Sequence, residues 1–115
     1  MLDKENRLKK TVDFQRIYQN GAYTVARQMV IYYCPRDQAG LRVGFVASKK
    51  VGNSTRRNRC KRLLRESMRL LLPDLKRGYD VVVVARPPLG EETFSVTLRT
   101  MARLLRKARL LANKS

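Results

Sequence analysis

Apolar residues recur along this chain in two periods, one near 3.6 residues and one near 2, and the places where the period changes mark its elements. Phe14, Ile17 and Tyr18 fall at i, i+3 and i+4. They predict a short helix over about 12–20, capped by Thr11 and stopped at Gly21. Tyr23 to Arg27 reads as a short strand. Met29-Val30-Ile31-Tyr32-Tyr33-Cys34 is a strong strand run closed by Pro35, and Arg36 to Gly40 reads as a hairpin loop. Leu41 to Ala47 forms the next strand, apolar at its odd positions. A loop from Ser48 to Ser54 precedes a helix predicted over 55–71, and Pro73 and Gly78 sit in the connection that follows. Tyr79-Asp80-Val81-Val82-Val83-Val84-Ala85 reads as a buried central strand ended by Pro87-Pro88. A last helix is predicted over 92–112, with Phe94, Leu98, Met101, Ala102, Leu105, Ala108 and Ala112 as its buried stripe. Arg99, Arg103, Arg106, Lys107 and Arg109 lie off that stripe. The order αβββαβα makes a two-layer α/β (α+β) sandwich, about three helices on a four-stranded mixed sheet.

Composition adds a constraint on size. The chain has 115 residues, 43% of them apolar. A domain of that length buries roughly two-thirds of its unfolded surface, so one compact domain over 1–115 is expected, with 1–10 as an extended basic N-terminus. No run reaches the ~18 apolar residues needed to span a bilayer. The N-terminus is charged, with no apolar stretch after it, unlike a signal peptide. Cys34 and Cys60 are the only cysteines. Two isolated thiols suit a reducing cytosol, and the expected location is cytoplasmic.

Charge narrows the function. Twenty-six Lys and Arg against nine Asp and Glu give +17. Such a balance works against compactness, and a polyanionic partner is the simplest reason to keep it. The cations concentrate in the stretch from Ser48 to Glu66. On a helix, Cys60, Leu64, Met68 and Leu71 share one face, and Arg59, Lys61, Arg62, Arg65 and Arg69 cover the other. Arg56 and Arg57 fall at the helix start, where the macrodipole disfavours cations by about 0.3–1 kcal/mol each. The free N–H groups there favour anions. Arginine's planar fork grips phosphate oxygens in pairs. A solvated amphipathic helix is the ordinary alternative, but the unopposed sign and the arginines at the positive end favour RNA or DNA contact.

Lys49-Lys50-Val51-Gly52-Asn53, followed by Arg57-Asn58-Arg59-Cys60-Lys61-Arg62-Leu63-Leu64-Arg65-Glu66, resembles the signature of the bacterial ribonuclease P protein component. Arg7-Leu8-Lys9-Lys10 with Asp13-Phe14 resembles the family's N-terminal stretch. Arg42-Val43-Gly44 and Val82-Val83-Val84-Ala85-Arg86 resemble the strands before and after the signature. The resemblance covers nearly the whole chain in order. It implies a sandwich whose signature helix makes a left-handed crossover between parallel strands, against the general right-handed rule. It implies that Lys49, Lys50, Asn53, Arg57, Asn58, Arg59, Lys61, Arg62 and Arg65 contact the catalytic RNA. It further implies a cleft for the 5′ leader of precursor tRNA, lined by Phe14, Tyr18 and Tyr32, because rings stack on any base. Phe14 suits core packing as well as leader contact. The hydroxyls of Tyr18 and Tyr32 prefer a wet edge, and Tyr23 and Tyr33 stay unassigned. Cys60 stands where the family usually has an aliphatic residue, and a buried thiol packs as a small hydrophobe. Arg56 occupies a position that varies in the family and ranks below Arg57 and Arg59.

The residues argue against a protein catalyst. There is no histidine, and only Glu91-Glu92 are adjacent carboxylates, better suited to favouring the last helix's start. No Gly-rich phosphate loop or Cys/His metal cluster is present. No catalytic residue, protein metal site or organic cofactor is expected. The resemblance assigns hydrolysis to the RNA and its Mg²⁺ ions. The expected partners are the catalytic RNA and precursor tRNA, with no membrane and no protein partner required. The rival readings are a ribosomal protein or general RNA chaperone, a membrane-surface protein and a stand-alone nuclease.

Overall fold

A computed structural model describes Arg7, Leu8 and residues 10–112. The rest of the expected extended N-terminus lies outside the described residues. The elements are α1 (Thr11–Asn20), β1 (Ala22–Val25), β2 (Met29–Pro35), β3 (Leu41–Val46), α2 (Ser54–Leu71), β4 (Tyr79–Ala85) and α3 (Phe94–Lys107). Short 3₁₀ turns at Lys49–Val51, Leu72–Asp74 and Pro87–Glu91 join them.

The sheet order is β1-β2-β4-β3. The β1–β2 and β2–β4 pairs are antiparallel, and β3–β4 is parallel, joined through α2. β4 is therefore central, which is why its run is apolar at nearly every position. Met29, Ile31, Leu41, Val43, Val81 and Val83 form the main core with α2 and α3. On the opposite face, Leu8, Ile17, Cys34 and Val82 make a smaller cluster, so α1 lies across part of that side. Arg7 bridges in parallel to Val43, and the Leu8 amide donates to the Val43 carbonyl at 3.0 Å, extending the sheet edge beyond β3.

Two helix ends differ from expectation. α1 begins at Thr11, and its N-cap is Lys10, with no side-chain cap. α3 stops at Lys107, because Arg109 takes a positive φ of 63° and turns the chain back. Leu110 and Leu111 then pack on the core, and Leu111 bridges to Leu75. The α3 stripe is also rotated. Thr97, Thr100, Met101, Leu104 and Leu105 are buried, whereas Phe94 is 37% exposed and Ala112 lies outside the helix. Buried threonine is affordable here because Thr97 Oγ1 donates to the Thr93 carbonyl at 2.7 Å.

Candidate nucleic-acid interface

α2 is set on the sheet by Cys60, Leu63, Leu64, Ser67 and Met68. This leaves Arg59, Arg62, Arg65 and Arg69 exposed and Arg57 and Lys61 half-buried. Asn53 is the N-cap, its side-chain oxygen accepting from the Arg56 amide at 2.9 Å. That oxygen is committed, and only its amide group is left for a partner. Lys49, Lys50, Asn53 and Asn58 are all exposed at this end of the molecule. No acidic residue occupies the first turn of α2, so the dipole and the cations there carry the same sign. Arg65 and Lys61 meet Arg7 across an open pocket of about 350 Å³ between α2, β3 and the N-terminal segment.

Arg56 behaves differently from its neighbours. Its guanidinium folds inward and donates to the Val51 carbonyl at 2.8 Å and the Pro87 carbonyl at 3.0 Å. Its carboxylate neighbour Glu91 lies 3.8 Å away. A side chain at Gly90 would collide with this guanidinium. Arg56 clamps the signature loop to the 87–91 turn and does not face outward beside Arg57. Arg59 Nη2 donates to the Glu92 carbonyl at 3.0 Å, which ties the start of α2 to the start of α3.

On the opposite sheet face, Tyr18 and Tyr32 meet edge to face, with ring centroids 4.9 Å apart and an interplanar angle of 76°. Tyr23 joins them at 5.8 Å from Tyr32 and is 62% exposed. Burial, and secondarily Tyr32, pushes the Tyr18 phenol above its ordinary range, so it stays a neutral donor at physiological pH. Exposed Val25 and half-buried Val30, Val46 and Val84 continue the apolar strip beside these rings. Phe14 packs over Gly44, where a Cβ would come within 2.7 Å of the ring, and is chiefly a wall of the cleft. Tyr33 pairs instead with Tyr79 against the main core.

At the end of the same face, the fully buried Asp80 carboxylate gathers three guanidiniums. Arg42 grips it with two hydrogen bonds of 2.8 Å, Arg16 bonds its Oδ2, and Arg36 approaches to 3.4 Å. The hydrogen bond to Asp80 raises Arg42's hold on its proton. This cluster anchors α1 to β2, β3 and β4. Among the described residues, no three His, Cys, Asp or Glu side chains come together to hold a metal.

The ribonuclease P family profile matches residues 2–109. The chain belongs to the ribonuclease P protein family. The ribonuclease P protein component of Caldanaerobacter subterraneus subsp. tengcongensis is 45% identical over 114 residues, covering 99% of this chain and 98% of that protein. The RNase P protein of Staphylococcus aureus has a TM-score of 0.84 at 34% identity, over 92% of this chain and 97% of that one. The RNase P protein of Thermotoga maritima has a TM-score of 0.76 at 30% identity, over 87% and 96%.

The ribonuclease P signature thus sits at the start of α2, and the nine signature residues converge on that helix and the loop before it. The three aromatic positions converge on the other sheet face. Sequence reasoning missed two things. Tyr23 is a third ring of the cluster, since it lies in β1, whose antiparallel pairing with β2 sets it opposite Tyr32. Arg56 is a clamp; the resemblance ranked it below Arg57 and Arg59 but did not reveal that role.

Proposed function

We propose that the chain is the RNA-binding protein subunit of ribonuclease P and takes part in removing the 5′ leader of precursor tRNA. The observation that carries this is the row of exposed α2 cations with no acid in its first turn. The signature helix neutralises phosphates of the catalytic RNA, and Lys49, Lys50, Arg57, Lys61, Arg62 and Arg65 are its principal contacts. The tyrosine face holds the single-stranded leader by stacking, so that precursor is bound more tightly than mature tRNA. The protein supplies no catalytic group. Hydrolysis is assigned to the catalytic RNA, whose bound Mg²⁺ would supply activation of water and charge stabilisation at the leaving oxygen.

The test is cleavage of precursor tRNA at low Mg²⁺ and near-physiological salt, comparing protein alone, ribonuclease P RNA alone and the mixture. Stimulation only in the mixture, with one cut at the mature 5′ end, is expected. Cleavage by protein alone would replace this reading with a nuclease. No stimulation where a known subunit works would return the chain to the ribosomal or chaperone class. Arg57→Ala with Arg62→Ala should weaken binding to the catalytic RNA tenfold or more, about 1.4 kcal/mol.

A further inference from the structure

α3 carries a second cationic row that the signature leaves unused. Arg99, Arg103, Arg106 and Lys107 share the side of the helix turned away from the buried Thr97, Met101, Leu104 and Leu105. α3 contains no acidic residue, and none of these four cations forms an ion pair among the described residues. The row runs into an open pocket of about 560 Å³ lined by Asp74, Lys76, Arg106 and Arg109. One feature of that pocket is left unexplained by the fold alone. The Arg106 Nε is buried with no acceptor, which a folded protein rarely tolerates. Arg109, the left-handed residue that ends α3, lines the same pocket. Three cations line it with one carboxylate, so the pocket is net positive.

The two rows are distinct. α2 and α3 are tied at their starts by the Arg59–Glu92 hydrogen bond and at their far ends by the Leu75–Leu111 bridge. The pocket therefore lies about one length of α2 from the signature loop, roughly 27 Å for 18 residues. We propose that α3 is a second phosphate-binding surface, with Arg99 and Arg103 tracking an RNA backbone and the Lys76–Arg106–Arg109 pocket receiving one of its phosphates. The occupant is a segment of the catalytic RNA other than the one on α2. The inference rests on the subunit reading above for the identity of that RNA.

The experiment measures binding to a ribonuclease P RNA transcript across a salt series. Arg99→Gln with Arg103→Gln alters only exposed side chains, so folding is kept; Arg106→Gln is added in a second variant to empty the pocket. A parallel variant, Arg62→Gln with Arg65→Gln, probes α2. Each lost phosphate contact lowers the slope of log affinity against log salt by about 0.7–0.9. The α3 double variant should lower the slope by one to two and the triple variant further, with at least a tenfold loss of affinity at fixed salt. A wild-type slope and affinity in both α3 variants, with loss in the α2 variant, would overturn this inference and leave the subunit reading standing. Loss in the α3 variants but not in the α2 variant would uphold the inference and remove the α2 contact. No change in any variant would overturn both.

Discussion

Asp80 is the residue on which the sheet face carrying Tyr18 and Tyr32 depends. Its carboxylate has no solvent exposure, and its burial is supportable only because three guanidiniums surround it. The arginines are partly exposed, so water can recover some of what they lose if the charge is removed. Asp80→Asn should therefore destabilise the fold by roughly 2–4 kcal/mol, less than for a fully buried pair. Urea unfolding checks this, and a change below about 0.5 kcal/mol would show the cluster to be ornamental. Cys60 makes a different case. Burial raises its thiol pKa, while Arg56 and Arg59 pull the other way. A group whose pKa is raised on folding lends stability below its ordinary range and loses it as pH rises through the folded value. Stability should thus decline above about pH 9, and Cys60→Ala should flatten that decline. Native Cys60 should react with an alkylating reagent far more slowly than the unfolded thiol.

The elements show why some of this was legible and some was not. β4 could be placed because the apolar run Val81–Ala85 between turn signals has few other homes, and it is an interior strand. The outward cations of α2 followed from period alone, since Cys60, Leu64 and Met68 fix its buried face. α3 was harder. Leu104 and Leu105 are adjacent, so the stripe can be drawn in two phases, and the true one buries Thr97 and Thr100, with the Thr97 hydroxyl donating to the Thr93 carbonyl at the N-cap. Its end depended on a left-handed Arg109 that no propensity announces. Arg56 and Arg57 are identical letters with opposite fates, decided by a slot beside Gly90 that exists only after folding. Two predictions belong at this scale. Asn53→Ala removes the α2 cap and should cost about 1 kcal/mol of stability, read by thermal unfolding. Arg56→Ala releases two carbonyls and the 87–91 turn, and should destabilise by roughly 1–3 kcal/mol with faster hydrogen exchange at Val51 and Gly52.

At the scale of the whole molecule, charge sets two opposing responses to salt. The net charge is +17, and two of the few acids, Asp80 and Asp13, are held by Arg42 away from the open surface. Cations far outnumber acids on the surface, so the free protein repels itself. Screening shortens that repulsion to about 10 Å at 0.1 M salt, and the thermal midpoint of the free protein should rise as salt is added from a few millimolar. The same ions compete for RNA phosphates. Neutralising six of them would cost roughly a thousandfold in affinity between 50 and 200 mM salt. Stability and binding should therefore move in opposite directions over one titration, and bound RNA should stabilise the protein most at low salt, where linkage and relief of repulsion add. Parallel unfolding and binding series over that range test the argument. A midpoint that falls with salt would mean that the ion pairs among the described residues, and not the excess cations, dominate the electrostatics of the fold.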